Sequence, residues 1–232
     1  QDYTQATHAV PNEDDSAPVA ATYRAQVDPT EKTEGAQSVR LVSLGMTTNA
    51  GYDVVHGPAA VSSKFAAKAH QLITFDWRAI GGADDYAVLG YLLDSNSCTQ
   101  TEILDSIGTS TNWAPAQVEI PANSSDYQFV FVAGTFDKTG GRAAGASLYI
   151  DNIQTGFTDT TTIPDIPETG VGDPQVLPAT TDNGVPVVYT SETPTICTVT
   201  GNTVSTLGAG SCRIVARSLG NDDYLSSTVT KS

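Results

Sequence analysis

The sequence predicts an all-β chain, in which an antiparallel jelly-roll sandwich is followed by a small immunoglobulin-like β-sandwich. Two observations support this prediction. Short runs of apolar and β-branched residues recur between turns rich in Gly, Asn and Ser, and no segment sustains a helical period beyond a short patch at 63–71. Regularly spaced strands without helices between them are typical of antiparallel sandwiches.

A segment rich in Thr, Pro and Gly divides the chain. Residues 1–155 are predicted to form the jelly-roll domain, and residues 156–174 to be a linker or an edge strand. Residues 175–232 show turn signals at the spacing of about 8–12 residues that is typical of immunoglobulin-like sandwiches. This pattern stops after STVTK, so we expect the last strand of the second domain to be absent or supplied by another chain.

The clearest strand patterns of the first domain differ in how they alternate. YQFVFVA is apolar on both faces, as expected for a strand central to a two-sheet sandwich. QLITFDWRA has an apolar face and a polar face, so it is predicted to be half-buried with Trp77 in the core. The patterns read as strands are QSVRLVSLG, QLITFDWRA, YAVLGYLLD, AQVEIPA, YQFVFVAGTFD and ASLYIDNI.

The charge balance excludes some classes of partner. The chain has 11 Lys and Arg against 26 Asp and Glu, a formal net charge of −15. Such a surface repels nucleic acids and anionic membranes, and no apolar stretch reaches the ~20 residues that span a bilayer. We therefore expect no nucleic-acid partner and no direct membrane insertion. The acidic residues either recruit divalent cations or serve solubility alone.

Cysteine usage bears on the compartment. Cys197 and Cys212 lie in two segments that both read as strands, and strands related as a hairpin could bring them within disulfide range. A disulfide would indicate an oxidising, extracellular environment. Cys98 is left over in a polar turn, where it is either a free thiol or an intermolecular link.

The second domain resembles the bacterial immunoglobulin-like repeats of large surface proteins. The resemblance rests on the run YTSETPTICTV, the segment AGSCRI and the corner GNDDY, and it covers nearly all of 175–232. It implies a stalk or spacer unit. In many of those repeats the two cysteines pair, here Cys197 and Cys212.

Residues 36–155 resemble a jelly-roll domain of large bacterial adhesins, which is similar to carbohydrate-binding and galactose-binding-like modules. The matching stretches are SVRLVSLGMTTNAGYDVVHGPAAVSS, ITFDWRAIGGADDYAVLGYLLD and GTFDKTGGRAAGASLYIDNI. The resemblance implies that Asp151, in the last strand, ligates a structural calcium ion. Loop carbonyls from 28–37, together with Asp28, would complete the site. The alternative is that Asp151 is an exposed carboxylate that discourages edge-to-edge pairing.

Other residues are candidates for holding a sugar or peptide. Asp84 and Asp85 stand beside an aromatic residue, Trp113 lies in a loop-like stretch, and Asp137 and Arg142 flank a Gly-Gly pair. Each has a plainer alternative: a solvated loop for Asp84 and Asp85, packing for Trp113, and a salt bridge within a turn for Asp137 and Arg142. Tyr86 and Tyr91 are further aromatics that could stack on a sugar ring.

Taken together, these features predict a non-enzymatic, extracellular piece of a bacterial surface adhesin or filament, stabilised by calcium. Its expected partners are a glycan or peptide on another surface and neighbouring repeats or subunits of the same protein. The alternative is a carbohydrate- or peptide-binding module that uses jelly-roll loops. A third interpretation is an accessory domain of a secreted glycosidase. The expectation that the chain is not an enzyme rests on the residues, since no acid pair or nucleophile motif singles out catalysis.

Overall fold

The computed structural model describes residues 4–9, 22–44, 56–136, 138, 145–165 and 170–232. Within these ranges the chain forms seventeen β-strands and no helix. Accordingly, no helix suited to crossing a membrane occurs in this described part. The strands are β1 Thr4–Ala9, β2 Thr22–Asp28, β3 Ser38–Leu44, β4 His56–Val61, β5 Phe65–Ala67, β6 Leu72–Ile80, β7 Asp85–Asp94, β8 Thr99–Gly108, β9 Ala114–Glu119, β10 Ser124–Phe136, β11 Ser147–Gly156, β12 Pro174–Val176, β13 Val187–Ser191, β14 Cys197–Thr200, β15 Thr203–Thr206, β16 Ile214–Ser218 and β17 Ser227–Lys231.

The chain separates into two compact units, Gln1–Gln154 and Thr155–Ser232. The first unit contains two antiparallel sheets. Sheet A has the order β1-β4-β10-β7-β8, with β5 also pairing with β10, and sheet B has the order β2-β3-β11-β6-β9. Two antiparallel sheets with non-sequential strand neighbours are what the sequence predicted, and the all-β sandwich class is confirmed.

The core of the first unit lies between these sheets. Phe75 of sheet B and Phe131 of sheet A meet edge to face, with ring centroids 5.3 Å apart. Around them, Leu41, Ile73 and Leu148 are completely buried. Trp77 packs against this cluster, as the alternation in its strand predicts.

The second unit has a smaller core between two three-stranded sheets. Sheet C has the order β12-β15-β14 and sheet D the order β13-β16-β17. The core includes Ile214 and Cys197, which is bonded to Cys212. Residues of the expected linker belong to this unit: Phe157 pairs with Tyr224, and Ile163 is buried in the core. Burying the Ile163 side chain removes apolar surface from water, and this favours packing of the segment on the second unit.

Six predicted strand patterns correspond to β3, β6, β7, β9, β10 and β11. The principal omission is β8, because its first half (TQTE) is polar and was read as part of a turn. The short patch with helical period at 63–71 forms strand β5 and a turn instead. Pairing with β10 supplies the hydrogen bonds that a helix would have made, so tertiary context outweighs the local pattern.

Candidate functional site

The outer face of sheet A carries an apolar cluster separate from the core. Ala59, Val130 and Val132 are its buried members. Tyr91 packs against them, together with Val61, Leu89 and Leu93. Alternation places these side chains on the face opposite the inter-sheet core, since Leu92 and Phe131 point inward. One face of sheet A therefore packs the sandwich, and the other carries the half-buried Tyr91 beside a buried apolar cluster.

The strand register arranges this outer face in cross-strand rows. In the first row, Val61 pairs with Val130, Val130 with Tyr91, and Tyr91 with Glu102. Partners in an antiparallel pair share a face and lie ~5 Å apart at their Cβ atoms. From β4 to β8, this row therefore runs from aliphatic side chains through an aromatic one to a carboxylate.

The second and third rows have an aliphatic residue of β7 in place of Tyr91, and each also ends on a polar residue of β8. Leu89 lies between Val132 and Asp105, and Leu93 lies between Gln128 and Gln100. Along β7, alternate side chains are separated by about 6.6 Å, so the three rows extend over about 13 Å. The β8 ends of all three rows are exposed: Glu102, Asp105 and Gln100.

Two groups on this face are held in defined states. Gln128 donates from Nε2 to the carbonyl oxygen of Ser62 at 2.8 Å and accepts from the Ser95 hydroxyl at 3.0 Å, which fixes its amide. Burial raises the pKa of Tyr91 above its ordinary value of 10.0, so its phenol stays protonated and can donate a hydrogen bond. The face combines apolar side chains with a polar rim on β8, and small-molecule sites also combine apolar lining with a few polar groups.

The outer face of sheet B is different, because its aromatics are used by the protein itself. The Arg40 guanidinium lies 5.3 Å from the centroid of the Tyr149 ring, and Trp113 meets the same ring edge-on at 6.3 Å. Tyr149 is 5% exposed. Trp113, the candidate platform of the sequence analysis, is thus part of a packed aromatic pair.

Asp84 and Asp85 lie at the start of β7, where both contact one residue. The Asp84 carboxylate accepts hydrogen bonds from the backbone N–H groups of Asp85 and Lys138, at 3.0 and 2.8 Å. The Asp85 carboxylate is 3.4 Å from the Lys138 ammonium. These contacts occupy both carboxylates with Lys138 and the local backbone, and Asp85 is buried rather than solvated. A role of the two acids in holding a sugar or peptide stays a prediction. Asp137 and Arg142 lie outside the described residues, so their predicted roles stay predictions.

Asp151 and Asp28 both contact the segment 29–37, and both carboxylates accept hydrogen bonds. Burial raises the pKa of Asp151, but N–H groups of Glu34, Thr33 and Asn152 outweigh it and hold the pKa below 3.8. Hydrogen bonds from Thr30 lower the pKa of Asp28 in the same way. Among the described residues no three His, Cys, Asp or Glu side chains come together as a metal site. Calcium binding at Asp151 and Asp28 remains a prediction.

The sequence analysis named Tyr91 but missed the residues beside it. Glu102 and Asp105 fall in β8, the strand that was read partly as a turn. A register irregularity between Gly90 and Tyr91 also breaks the alternation that would have revealed β8. The stretch EILDSIG carried the available signal for this strand. Its apolar residues Leu104 and Ile107 point to opposite faces of the sheet, as side chains three positions apart in a strand do.

Comparison with known proteins gives likeness in structure only. No family model and no curated protein matches the chain. One similar solved structure is a family 16 carbohydrate-binding module, at 20% identity and a TM-score of 0.33, covering 57% of this chain and 85% of that one. Another is the CBM22-1 xylan-binding domain from Paenibacillus barcinonensis Xyn10C, at 11% identity and a TM-score of 0.36, covering 65% and 91%.

A third match extends over nearly the whole chain. It is the glycoside hydrolase domain of Endo-D from Streptococcus pneumoniae R6, at 11% identity and a TM-score of 0.44, covering 98% of this chain and 37% of that one. Matches at these values identify neither a ligand nor an activity for the chain.

Proposed function

We propose that this chain is a non-catalytic carbohydrate-binding protein whose ligand lies on the outer face of sheet A, across β7 and β8. The observation that carries the proposal is the row in which Tyr91 stands between the apolar Val130 and the carboxylate of Glu102. A sugar ring has the matching asymmetry, because its C–H face is apolar and its edge carries hydroxyl groups. Tyr91 offers a surface for the first and Glu102 an acceptor for the second.

The three-row arrangement supports an oligosaccharide rather than a single sugar. Asp105 and Gln100 repeat the polar end of the row on either side of Glu102, about 6.6 Å apart along the strand. Equivalent hydrogen-bonding groups repeated along one direction suit a ligand that is itself a chain of similar units.

This function adopts the alternative of the sequence analysis in place of its main interpretation. The display role in an adhesin or filament stays a prediction, as does the absence of catalysis. Secretion is supported by the Cys197–Cys212 disulfide, because such bonds persist in oxidising compartments.

The test is binding of the whole chain to xylan, cellulose and glucomannan, measured by pull-down on insoluble material and by affinity electrophoresis on soluble material. We expect retention on at least one polysaccharide, and Tyr91→Ala to weaken it at least about tenfold, since ~1.4 kcal/mol of lost aromatic contact suffices for that factor. Trp113→Ala, on the outer face of sheet B, is the matched control and should bind as the wild type does. Equal binding by Tyr91→Ala and the wild type would refute the site.

A further inference from the structure

We infer that the loop of residues 29–37 is held on Asp151 without a metal ion, by backbone N–H groups of the loop, and that the ammonium of Lys32 binds carbonyl oxygens within the loop. The resemblance to calcium-binding jelly-roll domains assigns calcium to this carboxylate. The contacts of the described residues give other partners to Asp151, to Asp28 and to three carbonyl oxygens of the loop.

The Asp151 carboxylate is surrounded by hydrogen-bond donors. Its Oδ2 accepts from the N–H of Thr33 at 2.7 Å and from the N–H of Glu34 at 3.0 Å. Its Oδ1 accepts from the N–H of Asn152 at 2.8 Å. Calcium coordinates oxygen atoms, whereas an N–H group presents the positive end of its dipole. The loop therefore faces Asp151 with a polarity that binds the carboxylate and repels a cation.

The loop carbonyls expected to coordinate calcium also have partners. The Lys32 ammonium donates to the carbonyl oxygen of Pro29 at 2.8 Å and to that of Ala36 at 3.3 Å. The Ser38 hydroxyl donates to the carbonyl oxygen of Glu31 at 2.5 Å. An ammonium group that donates hydrogen bonds to several carbonyl oxygens takes the electrostatic place of a bound cation. The chain thus carries its own positive charge at the centre of this loop.

A second carboxylate joins the same network. Asp76 Oδ2 accepts from the Thr33 hydroxyl at 2.7 Å and from the Asn152 amide at 3.3 Å. The Thr33 hydroxyl oxygen is also 3.2 Å from Asp151 Oδ2. Two carboxylates that could have shared a metal are bridged instead by neutral donors. Asn152 reaches both through a backbone with φ of +51°, a conformation that Asn tolerates better than most residues.

Asp28, the other predicted ligand, is satisfied within the loop. Its Oδ1 accepts from the N–H and the hydroxyl of Thr30, at 2.8 and 2.6 Å. The Arg40 guanidinium lies 3.7 Å from its Oδ2 and balances its charge. Glu31, in the same loop, forms an ion pair with Arg78. Both acids are therefore paired with groups of the chain itself.

The test uses the whole chain and calcium alone as the probe. Thermal unfolding of the wild type should give the same Tm in EDTA and in excess calcium chloride. Asp151→Asn should lower the Tm of the first unit by about 4–8 °C equally in both, because hydrogen bonds to a charged acceptor are lost. Asp105→Asn, an exposed carboxylate of the same unit, is the matched control and should leave the Tm unchanged.

A local readout follows the loop directly. Limited trypsin digestion should cut after Lys32 faster in Asp151→Asn than in the wild type, as judged by mass spectrometry of the fragments. If Asp151→Asn does not fold, Thr33→Val removes only the bridging hydroxyl and should show the same increase. A calcium-dependent rise in Tm that Asp151→Asn abolishes would overturn the inference. So would cleavage after Lys32 that the substitutions leave unchanged.

Discussion

Reducing the Cys197–Cys212 disulfide should destabilise the second unit by about 3 kcal/mol. The bond closes a loop of 15 residues, and for a loop of that length the entropy returned to the unfolded chain is worth about 3 kcal/mol at 25 °C. A domain the size of Thr155–Ser232 has a total stability of about 4–12 kcal/mol, at ~0.05–0.15 kcal/mol per residue. The cross-link is therefore a large part of what keeps this unit folded.

The assay is thermal unfolding of the whole chain followed by calorimetry, with and without a reductant. Each kcal/mol shifts the Tm of a domain this small by about 4–8 °C, so the transition of the second unit should fall by more than about 10 °C. The transition of the first unit should not move. A Cys98→Ser variant, which changes the exposed free thiol, should respond to reductant as the wild type does. An unchanged second transition, in a sample whose thiols titrate as fully reduced, would refute the loop-entropy reasoning.

Two further predictions concern the first unit. Phe75→Ala should lower the free energy of unfolding by about 3–5 kcal/mol, because the ring is 1% exposed and packs edge-on against Phe131. Urea unfolding measures this loss. The control Val27→Ala, at a residue 50% exposed, should lower it by less than about 0.5 kcal/mol. Asp94 should contribute to acid unfolding, because hydroxyls of Ser97 and Ser124 hold its pKa below 3.8. A folded-state pKa below the unfolded value gives stability that is present above pH ~4 and lost as pH falls through the folded pKa. Asp94→Asn should therefore make the urea midpoint fall less steeply below pH ~4, and an unchanged slope would contradict the assignment.

Patterns within single strands could be predicted from the sequence. The alternation of QLITFDWRA placed Ile73, Phe75 and Trp77 on one face, and all three contact the core between the sheets. β10 is apolar on both faces because one side packs the sandwich and the other forms the outer cluster of sheet A. Local periodicity reports burial on each face, so these elements needed no knowledge of their neighbours.

The candidate site could not be predicted because it depends on register. Tyr91 and Glu102 become neighbours only through the pairing of β7 with β8, and an irregularity beside Tyr91 sets that pairing. Tyr91 was recognisable as an aromatic residue but not as the centre of a face. Likewise, nothing local in the sequence indicates that the N–H of Thr33 lies against a carboxylate 118 positions away. Long-range contacts of this kind are fixed by topology rather than by local pattern.

The central claim is that a glycan occupies the outer face of sheet A, and hydroxyl-radical footprinting with mass spectrometry tests it most directly. The whole chain is labelled with and without the polysaccharide that retains it, and oxidation is compared at Tyr91, Leu89 and Leu93 on this face and at Trp113 on the outer face of sheet B. The account predicts that the polysaccharide protects the three residues of β7 and leaves Trp113 unchanged. Protection of Trp113 with Tyr91 unchanged would contradict it.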